Sequence, residues 1–256
     1  MYLTWLDSNS WLLEMSGKQI LIDPWLIGDL MFGNTPWFFR GYRQSDRPIP
    51  PNIDLILLSQ GLEDHAHPPT LKQIDHHIPV IGSPNAIKVV KDLGYSDITS
   101  LNHHQSFTFQ DTIKITATKG SPTGPTSIEN GYIIQDLKTG FSVYYEPHGY
   151  HSPELKSFAP IDVVITPLIN LELPLLGPVI QGQKTGLELA KMVQPQVMLP
   201  SAAGGDIMFE GLLLKFLKAT GNLDDLRQNL QANHLSTTII EPSPSQRLSL
   251  QLTHKT

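Results

Sequence analysis

The chain has 256 residues, enough for one large domain or two small ones. Its 40% hydrophobic and 16% charged residues make a core-rich globular composition, which excludes disordered, collagen-like and coiled-coil classes. Lys and Arg number 18 against 24 Asp and Glu, a net charge of −6, so the basic footprint of a nucleic-acid binder is missing; with no cysteine there is also no disulfide, thiol nucleophile or thiolate metal site.

The opening Met1-Tyr2-Leu3-Thr4-Trp5-Leu6-Asp7 lacks the basic stretch of a secretory signal, and Asp7 and Glu14 interrupt the early apolar residues. No run reaches the roughly 18 apolar residues of a membrane span. A cytoplasmic protein without a transmembrane segment is therefore expected. Residues 2–6, 11–15 and 19–23 read as short strands rich in aromatic and branched side chains, separated by Asp-Ser-Asn-Ser and Ser-Gly turns. Residues 36–48 read as a long loop. Ile53-Asp54-Leu55-Ile56-Leu57-Leu58-Ser59 is nearly continuous in apolar residues, as in a strand buried on both faces. Beyond it the period lengthens: Leu71 and Ile74, then Ala86, Val89, Val90 and Leu93, mark helices. Ser83-Pro84 opens the second of these as cap and first helical residue, and Gly94 stops it.

Further strands are predicted over 107–109, 112–118, 132–136, 141–146, 161–166 and 197–200, with a hairpin link at Leu137-Lys138-Thr139-Gly140. Leu187, Leu189, Ala190 and Val193 predict a helix ending near Pro195. Residues 207–220 read as an amphipathic helix stopped by Gly221, and 223–234 as a polar one; strands over 237–241 and 247–252 close the chain. Strand runs followed by helices, twice over and without a flexible linker, predict a single domain over 1–256 with two sheets face to face and helices outside.

The informative stretch is Ser59-Gln60-Gly61-Leu62-Glu63-Asp64-His65-Ala66-His67, where a buried strand ends and a helix follows. It resembles the Ser-His-x-His-x-Asp-His signature of the metallo-β-lactamase superfamily. Ile22-Asp23-Pro24-Trp25 is similar to that family's early Ile-Asp-Pro strand end, and Tyr144-Tyr145-Glu146-Pro147 falls where the family has a strand ending in a metal-bridging Asp. The resemblance runs from about Leu3 to Pro200 and implies an α+β fold, a four-layer αββα sandwich of the metallo-β-lactamase type.

The resemblance also implies a reduced metal centre. In the family the first two signature histidines and a later one hold one zinc; here Gln60 and Leu62 stand at the first two positions and 116–122 contains no His. The second metal is held by the signature Asp and His, the bridging Asp and a last His. Asp64 and His65 match, Glu146 stands for the bridging Asp, and 200–205 offers no His. Leu62 cannot bind zinc, and Gln60 is a poor ligand beside imidazole. What is left is at most one divalent ion, Zn or Mn, on Asp64, His65 and Glu146. His67 and His148 lie two residues from His65 and Glu146, a spacing that points side chains the same way in extended chain. They are alternative donors or proton carriers, so the catalytic candidates are Asp64, His67 and His148.

Trp37, Phe38, Phe39, Arg40, Tyr42, Arg43 and Arg47 fall in the 36–48 loop, an unusual aromatic and basic cluster for an acidic chain. Arg40, Arg43 and Trp37 are candidates to hold a small-molecule substrate with an anionic group and an apolar part; an interfacial anchor and packing of the rings with Arg in solvent are the alternatives. His76, His77, His103, His104, His151, His234 and His254 read as structural or solvated. The expected activity is hydrolysis of an ester, amide or phosphodiester bond. The competing expectation is a catalytically inactive, metal-free ligand-binding module on the same fold. The oligomeric state is left open.

Overall fold

The computed structural model describes residues 1–123, 127–174 and 177–254. The chain divides into two compact units: Met1–Asn102 with Ala203–Phe216 and Pro242–Leu250, and His103–Ala202 with Leu217–Glu241 and Gln251–Thr256. The sequence carries no linker marking this division because the chain passes between the units several times.

The first unit is built on a seven-stranded sheet in the order Arg247–Ser249, Tyr2–Trp5, Trp11–Met15, Lys18–Ile22, Leu55–Leu58, Val80–Gly82, Ile98–Ser100. Its first four strands are antiparallel neighbours and its last four parallel. Ser16 (φ 51°) and Gly17 (φ 74°) make the two-residue turn that puts Met15 opposite Lys18. Positive φ at both central residues gives the turn the twist of its flanking strands. Leu55–Leu58 is buried throughout, as its unbroken apolar run predicts. Helix Pro84–Asp92 is capped by Ser83, whose hydroxyl accepts the Ala86 N–H at 3.3 Å. It buries Ala86 and Val90 in a core with Leu58, Leu71, Val80 and Tyr95.

The second unit also holds a seven-stranded sheet: Thr238–Ile239, Val197–Pro200, Val163–Thr166, Ser142–Tyr145, Ile128–Asp136, Ile113–Pro122, Ser106–Phe109. The first four are parallel, the rest antiparallel. Helices Gln183–Val193 and Leu223–Ala232 bring Leu189, Val193, Leu226 and Leu230 onto Tyr144, Val164 and Met198. A smaller sheet of Gly177–Ile180, Asn170–Leu173 and Lys218–Thr220 has no counterpart in the sequence expectations.

The expected helix over 207–220 is replaced by strand Met208–Glu210, a 3-10 turn Leu212–Lys215 and strand Lys218–Thr220. Gly211 sits at φ 121° with its Cα so close to Phe38 that a Cβ would lie 2.5 Å from the Phe38 carbonyl oxygen. Helical backbone is unavailable there, and Met208–Glu210 instead pairs with Arg40–Tyr42. The same pairing corrects the expected loop over 36–48, whose centre is strand Arg40–Tyr42. The apolar period of Ile207–Phe216 reflects burial of Ile207, Leu213 and Leu214 against Trp25, Leu30 and Phe39 rather than a helical face.

Candidate functional site

In the first unit, Asp23 ends strand Lys18–Ile22 in left-handed backbone at φ 42°. Its main-chain N–H bonds the Leu57 carbonyl of the neighbouring strand at 3.0 Å, which turns its carboxylate toward the loop after Leu58. One carboxylate oxygen accepts the Ser59 N–H at 2.7 Å; the other accepts the Ser59 hydroxyl at 2.5 Å and meets Nδ1 of His65 at 2.7 Å. Asp23, Ser59 and His65 are all buried.

A carboxylate only accepts, so Nδ1 of His65 carries its proton toward Asp23 and Nε2 faces the other way. There Nε2 stands 3.1 Å from Asp64 Oδ2 and 3.3 Å from Asn9 Nδ2. Burial alone would push the His65 pKa down, but Asp64 and Asp23 on its two sides raise it to about 10. In its neutral form the ring would set the Nε2 lone pair against a carboxylate lone pair. The contact is favourable only with a cation on Nε2, either a proton or a metal ion. A carboxylate on the far nitrogen of a metal-binding imidazole fixes its tautomer and orientation. The donor chemistry of Asp64 and His65 therefore fits a divalent ion.

His67 takes another path. Thr70 Oγ1 accepts the N–H groups of Leu26 at 2.9 Å and Ile27 at 3.1 Å, so its own proton goes to His67 Nδ1 at 3.1 Å. Nε2–H then donates to the Asp29 carbonyl at 3.3 Å. Both ring nitrogens are committed, the imidazole is neutral, and burial lowers its pKa to about 4. Gln60 is buried, whereas Leu62 is 43% exposed and lies outside the core.

The Arg-aromatic segment divides. Arg40, about a third exposed, bridges Asp29 and Glu210 at 2.7 and 2.8 Å and lies over the Tyr42 ring. Trp37 is 68% exposed, with Phe38 edge-on at 5.8 Å. Arg43 is instead interior. Its Nε donates to Asp7 at 2.8 Å, its Nη2 to the Trp25 carbonyl at 2.9 Å, and its guanidinium lies 4.6 Å from the Trp25 ring centre. Arg47 donates to the same Asp7 oxygen at 2.8 Å.

In the second unit, Glu146 follows strand Ser142–Tyr145. Its Oε2 accepts three main-chain N–H groups, from His148 at 3.2 Å, Gly149 at 2.5 Å and Tyr150 at 2.8 Å, and so shapes the turn after the strand. His148 Nδ1 pairs with Ser121 Oγ at 3.0 Å. His151 stands between the Tyr144 hydroxyl at 3.3 Å and Thr166 Oγ1 at 3.5 Å, and desolvation lowers its pKa to about 3.

Asp7, Asn9, Asp23, Ser59, Arg47 and Thr70 are thus site or supporting residues that the sequence did not single out as such. For Asp23 the signal was present in the Ile-Asp-Pro strand end. For Asp7 it was an acid breaking an apolar run.

An early strand end delivering a carboxylate to the Asp-His loop of the next parallel strand defines a class, and the comparisons agree with it. The chain belongs to the family described as the beta-lactamase superfamily domain, which matches residues 2–202. Its fold is the α+β metallo-β-lactamase sandwich expected from the sequence. Among solved structures it is similar to an isothiocyanate hydrolase from Delia radicum gut bacteria, at 17% identity and TM-score 0.70 over 97% of this chain and 99% of that one. It is also similar to Igni18, a metallo hydrolase from Ignicoccus hospitalis, at 14% identity and TM-score 0.66 over 98% and 99%. A third similar structure is CmlA, a diiron beta-hydroxylase from Streptomyces venezuelae, at 15% identity and TM-score 0.67, covering 98% of this chain and 54% of that one. No match is found among curated proteins. No helix among the described residues is long and apolar enough to cross a membrane.

Proposed function

We propose that the chain is a metal-dependent hydrolase of an ester, amide or phosphodiester bond, working as a single domain over 1–256 with at most one divalent ion, Zn or Mn. The observation that carries this reading is the Asp23–His65–Asp64 array, in which an anchored imidazole presents Nε2 to a carboxylate 3.1 Å away. The hydrolases among its structural neighbours support it.

Asp64 and His65 are the donors, with Glu146 carried over from the family pattern. These donors would hold a divalent ion, and the chemistry it would supply when bound is polarisation of the scissile group and a nucleophile available at neutral pH. Asp23 and Ser59 fix the His65 ring. Proton transfer falls to His148 rather than His67, because both nitrogens of His67 are bonded to Thr70 and Asp29. Trp37 and Arg40 offer the substrate an exposed ring and a partly exposed cation.

The test is elemental analysis of untagged protein followed by substrate screening. About one Zn or Mn per chain is expected, because structural donors of this kind bind metal as part of folding. Asp64→Asn and Glu146→Gln should lose both metal and turnover. Protein that carries no metal and takes none up when Zn²⁺ or Mn²⁺ is added overturns the proposal in favour of a metal-free binding module.

A further inference from the structure

The first unit contains a cleft of about 470 Å³ lined by Arg43, Gln44, Ser45, Arg47, Asp206 and Met208. That volume lies in the range of roughly 300–1,000 Å³ usual for small-molecule sites. At one side of it two guanidinium groups share one carboxylate, since Arg43 Nε and Arg47 Nε both donate to Asp7 Oδ2 at 2.8 Å. Asp7 is fully buried, and the Arg43 side chain is 2% exposed. Two cations against one interior anion leave a single positive charge. The group that meets it is Asp206, 63% exposed at the rim, through a short contact with Arg47 Nη2.

Arg43 adds a second, independent observation. Its Nε and Nη2 are bonded to Asp7 and the Trp25 carbonyl, while the buried Nη1 finds no acceptor among the described residues. A desolvated N–H without an acceptor is a standing cost that an incoming oxygen removes. Arg43 thus keeps a buried donor without an acceptor among the described residues, and the charge of the pair is answered by exposed carboxylates, Asp206 in contact with Arg47 and Asp46 acting electrostatically on Arg43.

We propose that this cleft binds a small monoanionic carboxylate, which displaces Asp206 from Arg47. The ligand class follows from the internal occupant. Asp206 is itself a carboxylate, and guanidinium forks match carboxylate geometry. Exchange of one carboxylate for another leaves the net charge around Arg43, Arg47 and Asp7 unchanged. A phosphate dianion would leave an excess negative charge on a chain already at −6. Met208, on the same wall, gives a short alkyl chain something to pack against. The turn that carries Asp7 also carries Asn9, which reaches His65 Nε2 at 3.3 Å. Identifying the bound carboxylate as the charged end of the substrate therefore rests on the hydrolase reading, whereas binding itself does not.

The experiment titrates sodium butyrate into the full untagged chain at constant ionic strength by calorimetry, with sodium chloride and inorganic phosphate as separate arms. It is run on EDTA-treated and on Zn-loaded protein, with metal content measured on the same samples. Saturable butyrate binding is expected in both, tighter than phosphate. Asp206→Asn removes the internal competitor and should tighten butyrate binding roughly three- to tenfold, since an occluded site weakens apparent affinity by its free fraction. Arg47→Gln should abolish binding. Absence of saturable butyrate binding in both the parent and Asp206→Asn overturns the proposal, as does phosphate binding more tightly than butyrate. Because Asp206 is exposed, its variant remains informative if Arg47→Gln fails to fold. Loss of metal with butyrate binding intact defeats the hydrolase reading alone.

Discussion

Asp7→Asn is the sharpest probe of the interior charge group in the first unit. The substitution keeps the size of the side chain but removes the one buried counter-charge that Arg43 and Arg47 have among the described residues; their side chains are 2% and 16% exposed. Breaking a buried ion pair by removing one partner costs about 3–5 kcal/mol, because the other charge is left without compensation. Arg47 keeps Asp206 and some contact with water, which places the expected loss near the lower end, about 3 kcal/mol. For a chain of this size that is a fall of roughly 6–12 °C in melting temperature. Urea unfolding followed by circular dichroism at pH 7 measures it, with Asp206→Asn as a surface control expected to change stability by about 1 kcal/mol or less. The pH dependence gives a second reading. Burial would push the Asp7 carboxyl up, but hydrogen bonds from Arg47 and Arg43 hold it below its ordinary 3.8. Its contribution is therefore complete above the unfolded-state value and is lost as pH falls through the folded one. The gap between parent and Asp7→Asn should accordingly narrow below about pH 4. A variant within about 1 kcal/mol of the parent at pH 7 would refute the reasoning, since it would mean the two guanidinium groups are solvated.

Thr70→Val removes the acceptor of the buried Leu26 N–H and the partly buried Ile27 N–H and the donor to buried His67, and should cost roughly 2–4 kcal/mol in urea unfolding. An unchanged midpoint would show that those groups find other partners. Gly205→Ala places a Cβ 2.1 Å from Asp7 Oδ1 and 2.9 Å from the Trp5 ring in backbone at φ 61°. Left-handed strain and overpacking together predict a loss of about 2–5 kcal/mol, read from the thermal midpoint. His151, with its pKa lowered from 6.5 to about 3, binds no proton when folded over a range where the unfolded chain does. Stability should therefore fall as pH drops below 6.5, by about 1–2 kcal/mol at pH 5 after allowance for the half-buried residue. His151→Gln should flatten that part of the curve, and parallel curves for the two proteins would contradict the assignment.

What the sequence makes legible is what depends on neighbours along the chain. The strand Leu55–Leu58, the Ser83 cap and the hairpin at Leu137–Gly140 each carry their instructions within a few residues. The helix expected over 207–220 fails for the complementary reason. Its apolar spacing is helical, but Gly211 must clear the Phe38 carbonyl and Met208–Glu210 meets Arg40–Tyr42, partners more than 160 residues distant. The site shows the same division. Asp64-His65 stands out because the loop motif is contiguous. Asp23, 42 residues from His65, is visible only as a strand-end flank, and nothing local says that its carboxylate will take the His65 proton. Arg43 and Arg47 share a segment with Arg40, so composition groups the three. Tertiary structure separates them, with Arg40 in a surface bridge and the other two against buried Asp7.

The local bonding also bears on the metal centre proposed at Asp64 and His65. Gln60 and Leu62 stand where the sequence resemblance leads one to expect histidines, and His65 is held in place: Asp23 holds Nδ1, and Ser59 holds Asp23 through both its N–H and its hydroxyl. Keeping buried Asp23 and partly buried Asp64 around one imidazole is costly unless a positive charge is present, because desolvated anions destabilise the fold when unpaired. A site freed of all function would be relieved by a neutral residue at Asp64. Asp64 still faces Nε2 instead, at 3.1 Å. Its stability can therefore be read as a titration of what sits on Nε2. If only a proton does, Asp64→Asn should leave the melting temperature of metal-free and Zn-treated protein equally shifted from the parent. If an ion does, Zn²⁺ should raise the melting temperature of the parent and leave that of Asp64→Asn where it was, since only the folded parent binds it.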